Sequence, residues 1–153
     1  MFIINSLFYG DWAPFIVMTI KILIEEISGY KNYVLIKISG ELDYTVVNNN
    51  IITREIMPCI ETGEKNIIMD LQDLSYIDST GILNILYCYL KLQKAKRNMR
   101  FIRVDNKIRE LFMAIGLTKM IPLCNNISEA IKDIEKGKQR WSTCICRKCP
   151  INK

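Results

Sequence analysis

The feature that most constrains the fold is a short apolar run followed by a polar junction and then by a long amphipathic segment. The run NIIMDL, Asn66 to Leu71, has the length and continuous hydrophobicity of a strand buried on both faces. From Thr80 to Arg97, apolar residues recur at helical spacing. A buried strand that feeds a helix predicts an α/β domain.

The flanking patterns extend this prediction. Apolar and charged residues alternate over 20–27 and again over 34–38, with a turn-forming segment between them, which predicts a hairpin with one buried face. Further helices are predicted over 47–60, 107–115 and 127–134, and further strands over 100–104 and 120–123. Because βαβ crossovers are right-handed, we expect one domain over 18–135, with a small mixed β-sheet and helices mainly on one face.

The helix predicted over Thr80 to Arg97 is apolar around much of its circumference. Its buried face is predicted to contain Ile82, Leu83, Leu86 and Leu90, widened by Ile85, Tyr89 and Leu92.

The positive charge of the chain lies mainly at its C-terminal end. The net charge is +5, but 136–153 hold six basic residues and no acid, which leaves 15 basic against 16 acidic residues elsewhere. The basic residues from Lys91 to Arg109 fall mainly on the polar side of a predicted helix and at the ends of a predicted strand, so a solvated face is favoured over a phosphate-binding one. We therefore expect no nucleic-acid partner.

The chain contains no histidine. It thus lacks the commonest general base, the commonest metal ligand and the usual partner of a nucleophilic serine. It also lacks the phosphate-binding motif GxxxxGK[ST] and the nucleophile motif GxSxG. The sequence predicts neither an enzyme nor a cofactor-binding protein, and a serine hydrolase remains only a remote alternative.

Both ends of the chain are expected to lie outside the domain. Residues 1–17 are apolar but interrupted by Gly10, Asp11 and Pro14, which is typical of neither a membrane span nor a signal peptide. We interpret them as an extension or a start-site artefact, with an anchor or packing segment as the alternative, and we expect no stable membrane insertion.

The tail over 136–153 contains a cluster of three cysteines. Cys144, Cys146 and Cys149 offer a zinc ion one ligand fewer than a structural site uses, so a redox-labile or accidental cluster is the favoured interpretation. Without an export signal, reduced thiols in the cytosol are expected.

The junction YIDSTG, Tyr76 to Gly81, admits two interpretations. Asp78 or Ser79 caps the helix and Gly81 only relieves crowding, or Ser79 accepts a phosphate that the helix N-terminus tolerates. In the second interpretation, the missing side chain of Gly81 lets a partner backbone approach closely.

Three motifs together resemble the STAS domain of bacterial anti-sigma factor antagonists. They are ISGELD at Ile38 to Asp43, MDLQDLSYIDSTG at Met69 to Gly81, and RELFMAIGLTKMIPL at Arg109 to Leu123. The resemblance implies that Ser79 is phosphorylated by an anti-sigma factor serine kinase in the cytoplasm. It also implies that the unphosphorylated domain binds this kinase, freeing the sigma factor, and that the phosphorylated domain releases it. The residues expected to bind the partner are Asp43, Tyr44, Thr45, Asp78, Thr80, Gly81 and Ile82.

The sequence departs from the family pattern in two places. Leu83 stands where a second glycine is usual, and Tyr44, Thr45 and Val46 replace a run of smaller residues. Both departures affect the choice of partner. The alternative within the same fold is an unphosphorylated STAS scaffold or a transporter-associated subunit that recognises its partner through this face.

Overall fold

The predicted N-terminal hairpin forms one edge of the sheet in the computed structural model, which describes residues 20–44 and 51–142. Strand β1 (Lys21–Glu26) pairs antiparallel with β2 (Tyr33–Leu42), and Ile22 lies opposite Ile38. Gly29 in the connecting turn has a φ of +79°. This conformation favours glycine because it has no Cβ to clash with the backbone.

The remaining described strands run parallel to their neighbours. They are β3 (Asn66–Asp70), β4 (Leu74–Ile77), β5 (Met99–Ile102) and β6 (Leu123–Cys124). The order across the sheet is β1-β2-β3-β5-β6, and β4 pairs with the C-terminal part of β2. All five residues of β3 are buried, which confirms that the apolar run forms a central strand.

The described helices lie on both faces of the sheet, but unequally. They are α1 (Ile51–Glu61), α2 (Ser79–Lys94), α3 (Asn106–Ala114), α4 (Leu117–Met120) and α5 (Ile127–Ser142). Side chains of α1 to α4 share one core with Ile36, Ile38 and Met69 of the sheet. Helix α5 covers the other face, where Ile131 and Ile134 join Ile68. The predicted α/β fold with helices mainly on one face is confirmed.

The predicted buried face of α2 is wrong in part. Leu83 and Leu90 are 63% and 50% exposed, whereas Gly81, Ile85, Cys88 and Leu92 are buried. A helix that is apolar on most sides does not reveal its inner face through periodicity alone. On the inner face, Gly81 packs closely against Leu42 at the end of β2.

Two elements near the loops differ from expectation. Strand β4 was not predicted, because its four residues LSYI, with only the terminal two buried, are too short to show a pattern. The strand predicted over 120–123 is wrong at Met120, which ends the single turn of α4, and β6 contains only Leu123 and Cys124.

The predicted domain boundary at 135 falls within α5, which continues to Ser142. Several predictions concern residues outside the described ranges. These are the extension over 1–17, Thr45, and the tail cysteines Cys144, Cys146 and Cys149.

Candidate functional site

Asp78 connects the start of α2 to the loop that follows β2. It is the N-cap of α2, and its Oδ1 accepts a hydrogen bond from the Gly81 N–H at 2.8 Å. Its Oδ2 accepts one from the Tyr44 N–H at 2.9 Å. One carboxylate therefore satisfies an unpaired amide of the helix start and holds the neighbouring loop beside it.

Ser79 is the first residue of α2, and its side chain is exposed. The capping interaction belongs to Asp78, so the sequence alternative in which Ser79 caps the helix does not apply. Thr80 follows in a half-buried position, and its carbonyl oxygen accepts a hydrogen bond from Asn84 Nδ2 at 3.0 Å. Of the two adjacent hydroxyl side chains, that of Ser79 is the more accessible.

Gly81 is buried against the end of β2. A Cβ at this position would lie 2.4 Å from the carbonyl oxygen of Leu42 and 3.0 Å from Cγ1 of Ile77. The absence of a side chain at Gly81 therefore allows α2 to approach the β2 backbone of the same chain closely. This contact differs from the approach of a partner backbone that the sequence suggested.

The motif ISGELD and the motif around Ser79 are joined by the pairing of β2 with β4. The Gly40 N–H donates to the Asp73 carbonyl oxygen at 2.8 Å, and the Asp78 N–H donates to that of Leu42 at 3.2 Å. Between these bonds the register shifts at Gly40, which has a φ of +97°. The β4 pairing thus places the start of α2 next to the end of β2.

An ion pair between Asp70 and Arg103 stabilises the turn that leads into β4. Asp70 is 4% exposed, and its carboxylate also accepts a hydrogen bond from the Gln72 N–H at 3.2 Å. Hydrogen bonding to Asp70 raises the pKa of the Arg103 guanidinium above its ordinary value. Because a buried carboxylate needs such partners, the contact holds together the loops that follow β3 and β5.

The predicted site residues lie together where they are described. Asp43 is half-buried and Tyr44 is 58% exposed, directly after β2. Ile82 is half-buried and packs against the main core. Asp78, Thr80 and Gly81 occupy the start of α2, as described above. Among the seven residues expected to bind a partner, Thr45 alone lies outside the described ranges.

Two exposed apolar side chains at the site were missing from the predicted partner-binding set. Tyr76 in β4 is 51% exposed, and Leu83 in the first turns of α2 is 63% exposed. The apolar periodicity places Leu83 on the buried face of the predicted helix, whereas the structure exposes it. The sequence gives one indication that Tyr76 lies at the site, namely its position two residues before Asp78. The segment around it shows no strand pattern from which its exposure could be predicted.

The described ranges show no metal centre and no membrane span. No group of three or more cysteine or acidic side chains within 20–44 and 51–142 is arranged to hold a metal ion. In the same part of the chain, no helix combines the length and hydrophobicity needed to cross a bilayer.

Comparison with known families decides the classification. The family model described as STAS domain matches residues 22–130, which is most of the chain. The chain belongs to the STAS domain family. The match spans every described strand except the first residue of β1, and it includes the whole site around Ser79.

Curated STAS relatives are named as anti-sigma factor antagonists. An anti-sigma F factor antagonist of Paenibacillus polymyxa is 23% identical over 111 residues, covering 72% of this chain and 93% of the relative. An anti-sigma-B factor antagonist of Staphylococcus aureus (strain NCTC 8325 / PS 47) is 29% identical over 87 residues, covering 56% and 78%.

Solved structures show the same fold. The anti-sigma factor antagonist SpoIIAA in its unphosphorylated form aligns with a TM-score of 0.56 at 23% identity, covering 76% of this chain and 98% of that one. The phosphorylated form of SpoIIAA from Bacillus also aligns with a TM-score of 0.56, at 24% identity, covering 74% and 98%. At these identities, the structural likeness establishes the fold.

Proposed function

We propose that this protein is an anti-sigma factor antagonist that acts as a phosphorylation switch at Ser79. The unphosphorylated domain binds an anti-sigma factor that is also a serine kinase, which frees the sigma factor for transcription. The phosphorylated domain releases the kinase. This cycle takes place in the cytoplasm, and the names of the relatives support the assignment.

The observation that carries the proposal is the division of roles between two adjacent residues. Asp78 caps α2 and holds the Tyr44 loop, whereas the exposed Ser79 is not needed as a cap. The hydroxyl is therefore available for modification while the interactions that position α2 remain in place. SpoIIAA, which shares the fold, has been solved in an unphosphorylated and a phosphorylated form, and this supports a phosphorylation switch for the present domain.

The proposed reaction is a transfer of the γ-phosphoryl group of ATP. A bond forms between Ser79 Oγ and the γ-phosphorus, the bond from that phosphorus to its bridging oxygen breaks, and ADP leaves. The hydroxyl proton passes to a base on the kinase, which also holds the ATP. The chain itself contributes the exposed Ser79 and a helix start that is capped by Asp78.

The phosphate changes binding through its charge. It adds about −1.5 to −2 charges at neutral pH, next to the carboxylate of Asp78. Backbone amides at the first turn and the positive end of the helix dipole stabilise the anion within the domain. A partner surface that fits the neutral hydroxyl must desolvate this dianion, which costs several kcal/mol, and about 1.4 kcal/mol is a tenfold loss of affinity.

Variants at Ser79 test the switch. Ser79→Asp should abolish binding to the kinase, and Ser79→Ala should bind it constitutively in the presence of ATP. Ser128→Asp is the matched control, since Ser128 is also an exposed serine in the first turn of a helix, α5, on the opposite face of the sheet. If Ser79→Asp and Ser79→Ala both bind like the wild type, the switch is refuted.

Intact mass after incubation with the kinase and ATP separates the switch from the unphosphorylated scaffold. The switch requires the wild type to gain one phosphate and Ser79→Ala to gain none. Binding without any gain of mass favours the scaffold or transporter-associated subunit instead.

A further inference from the structure

A line of exposed apolar side chains continues from Ser79 along the outside of α2. Leu83, Tyr87 and Leu90 are 63%, 46% and 50% exposed. At about 100° per residue, Ser79 and these three residues lie within an arc of about 80° on the helix. We call Leu83, Tyr87 and Leu90 the outer stripe.

The outer stripe has no role in the core of this domain. The buried residues Gly81, Ile85, Cys88 and Leu92 lie on the opposite side of α2, about 170° away on the same helical wheel. Single exposed apolar residues are ordinary on protein surfaces. A line of them over successive turns, aligned with the proposed phosphoacceptor, calls for a specific explanation.

The size of a protein interface supplies that explanation. A kinase that phosphorylates Ser79 must place its catalytic groups on the hydroxyl, so its body covers the start of α2. A stable interface buries about 800 Å² on each partner, which corresponds to a patch roughly 30 Å across. At about 1.5 Å per residue, Leu83, Tyr87 and Leu90 lie about 6, 12 and 16 Å along the axis from Ser79. A patch of that size centred on Ser79 extends about 15 Å in each direction, so it covers Leu83 and Tyr87 and ends at about the position of Leu90.

Two lysines at the C-terminal end of the outer stripe indicate the charge that a partner needs there. The Nζ of Lys91 lies 5.3 Å from the centre of the Tyr87 ring, and Lys94 follows in the last turn of α2. The stripe therefore ends in two cationic side chains. A partner that covers it needs an apolar surface against Leu83 and Tyr87, followed by acidic groups near the lysines.

We propose that the outer stripe is a specificity surface for the kinase that phosphorylates Ser79. The proposal rests on the proposed function and extends the contact from the predicted residues around Ser79 to Leu83, Tyr87 and Leu90. The exposed Leu83 selects a kinase with an apolar recess at that point. Contacts with the outer stripe increase the affinity for the kinase, and phosphorylation of Ser79 then determines whether the kinase binds or is released.

Binding measurements with purified kinases test this surface. Each anti-sigma-type serine kinase encoded in the source genome is titrated with the full-length wild type and with Leu83→Glu and Tyr87→Ala. We expect each variant to weaken binding by at least about tenfold. Urea unfolding midpoints should stay near the wild-type value, because both side chains are exposed and belong to neither core cluster.

Tyr30→Ala is the matched control for Tyr87→Ala. Tyr30 is 45% exposed, against 46% for Tyr87, but lies in the β1–β2 turn. The length of β2, from Tyr33 to Leu42, separates that turn from the site by about 30 Å at about 3.3 Å per residue. We expect Tyr30→Ala to bind the kinase like the wild type.

The outcomes separate this inference from the proposed function. If Ser79→Asp abolishes binding while Leu83→Glu and Tyr87→Ala bind normally, the outer stripe is refuted and the switch stands. If no kinase binds or phosphorylates the wild type, both proposals fail. If sedimentation shows a wild-type dimer that Leu83→Glu dissociates, a second copy covers the stripe and the kinase surface is refuted.

Discussion

Replacement of Gly81 by alanine tests the packing that determines the rotation of α2. An alanine Cβ would lie 2.4 Å from the Leu42 carbonyl oxygen and 2.9 Å from Leu42 Cγ. Both distances are too short, and the closer atom belongs to the backbone, so α2 or the end of β2 must move. That movement disrupts two hydrogen bonds, one from the Asp78 N–H to the Leu42 carbonyl oxygen and one from the N–H of residue 81 to Asp78 Oδ1.

The expected cost follows from these contacts. Overpacking costs about 1–3 kcal/mol, and the weakened hydrogen bonds add about 1–2 kcal/mol, while the better helix propensity of alanine returns about 1 kcal/mol. The net loss in the free energy of unfolding is about 2.5 kcal/mol. With a urea m-value of about 2 kcal/mol per molar, the unfolding midpoint should fall by about 1.2 M.

Urea titration followed by circular dichroism measures this change. Gly137→Ala is the control, because Gly137 lies within α5 and a Cβ added there would meet no atom within 4 Å. That variant should gain about 0.5–1 kcal/mol from helix propensity alone. If Gly81→Ala is as stable as the wild type or more stable, the close approach to Leu42 does not determine the position of α2.

Two further predictions concern the cap and the thiols. Asp78→Ala should lower the free energy of unfolding by about 2 kcal/mol, because Asp78 accepts hydrogen bonds from two backbone amides. Asp105→Ala should cost less, because Asp105 accepts one from the Lys107 N–H. Equal urea midpoints for the two variants would contradict the role of Asp78 in connecting the Tyr44 loop to α2. Burial raises the pKa of Cys88 and of Cys124 to about 11. Their thiolates are scarce at pH 8, so iodoacetamide should modify both far more slowly in the native protein than in urea, as followed by peptide mass. The pKa of each thiol is higher in the folded protein than in the unfolded one, so the neutral thiols stabilise the fold fully below about pH 8.5. This stabilisation is lost as the pH rises toward 11, and a free energy of unfolding that stays constant over that range would contradict it.

The sequence alone determined the class of fold and the position of the candidate site. A continuous apolar strand, an alternating hairpin and helices at regular spacing predict an α/β domain from local periodicity. The motif IDSTG at the start of a helix locates Ser79, because capping chemistry and the resemblance to STAS domains both depend on consecutive residues. Such local signals are readable without a structure.

Tertiary structure decided which side of α2 faces inward and which residue caps it. Leu83 and Leu90 fit the apolar periodicity as well as Ile85 and Leu92 do, so hydrophobicity could not distinguish the two faces. The contact of Gly81 with Leu42, between segments far apart in sequence, turns the first pair outward. The bond from the Tyr44 N–H to Asp78 likewise spans 34 positions, and it is the fold that leaves Ser79 exposed at the start of α2.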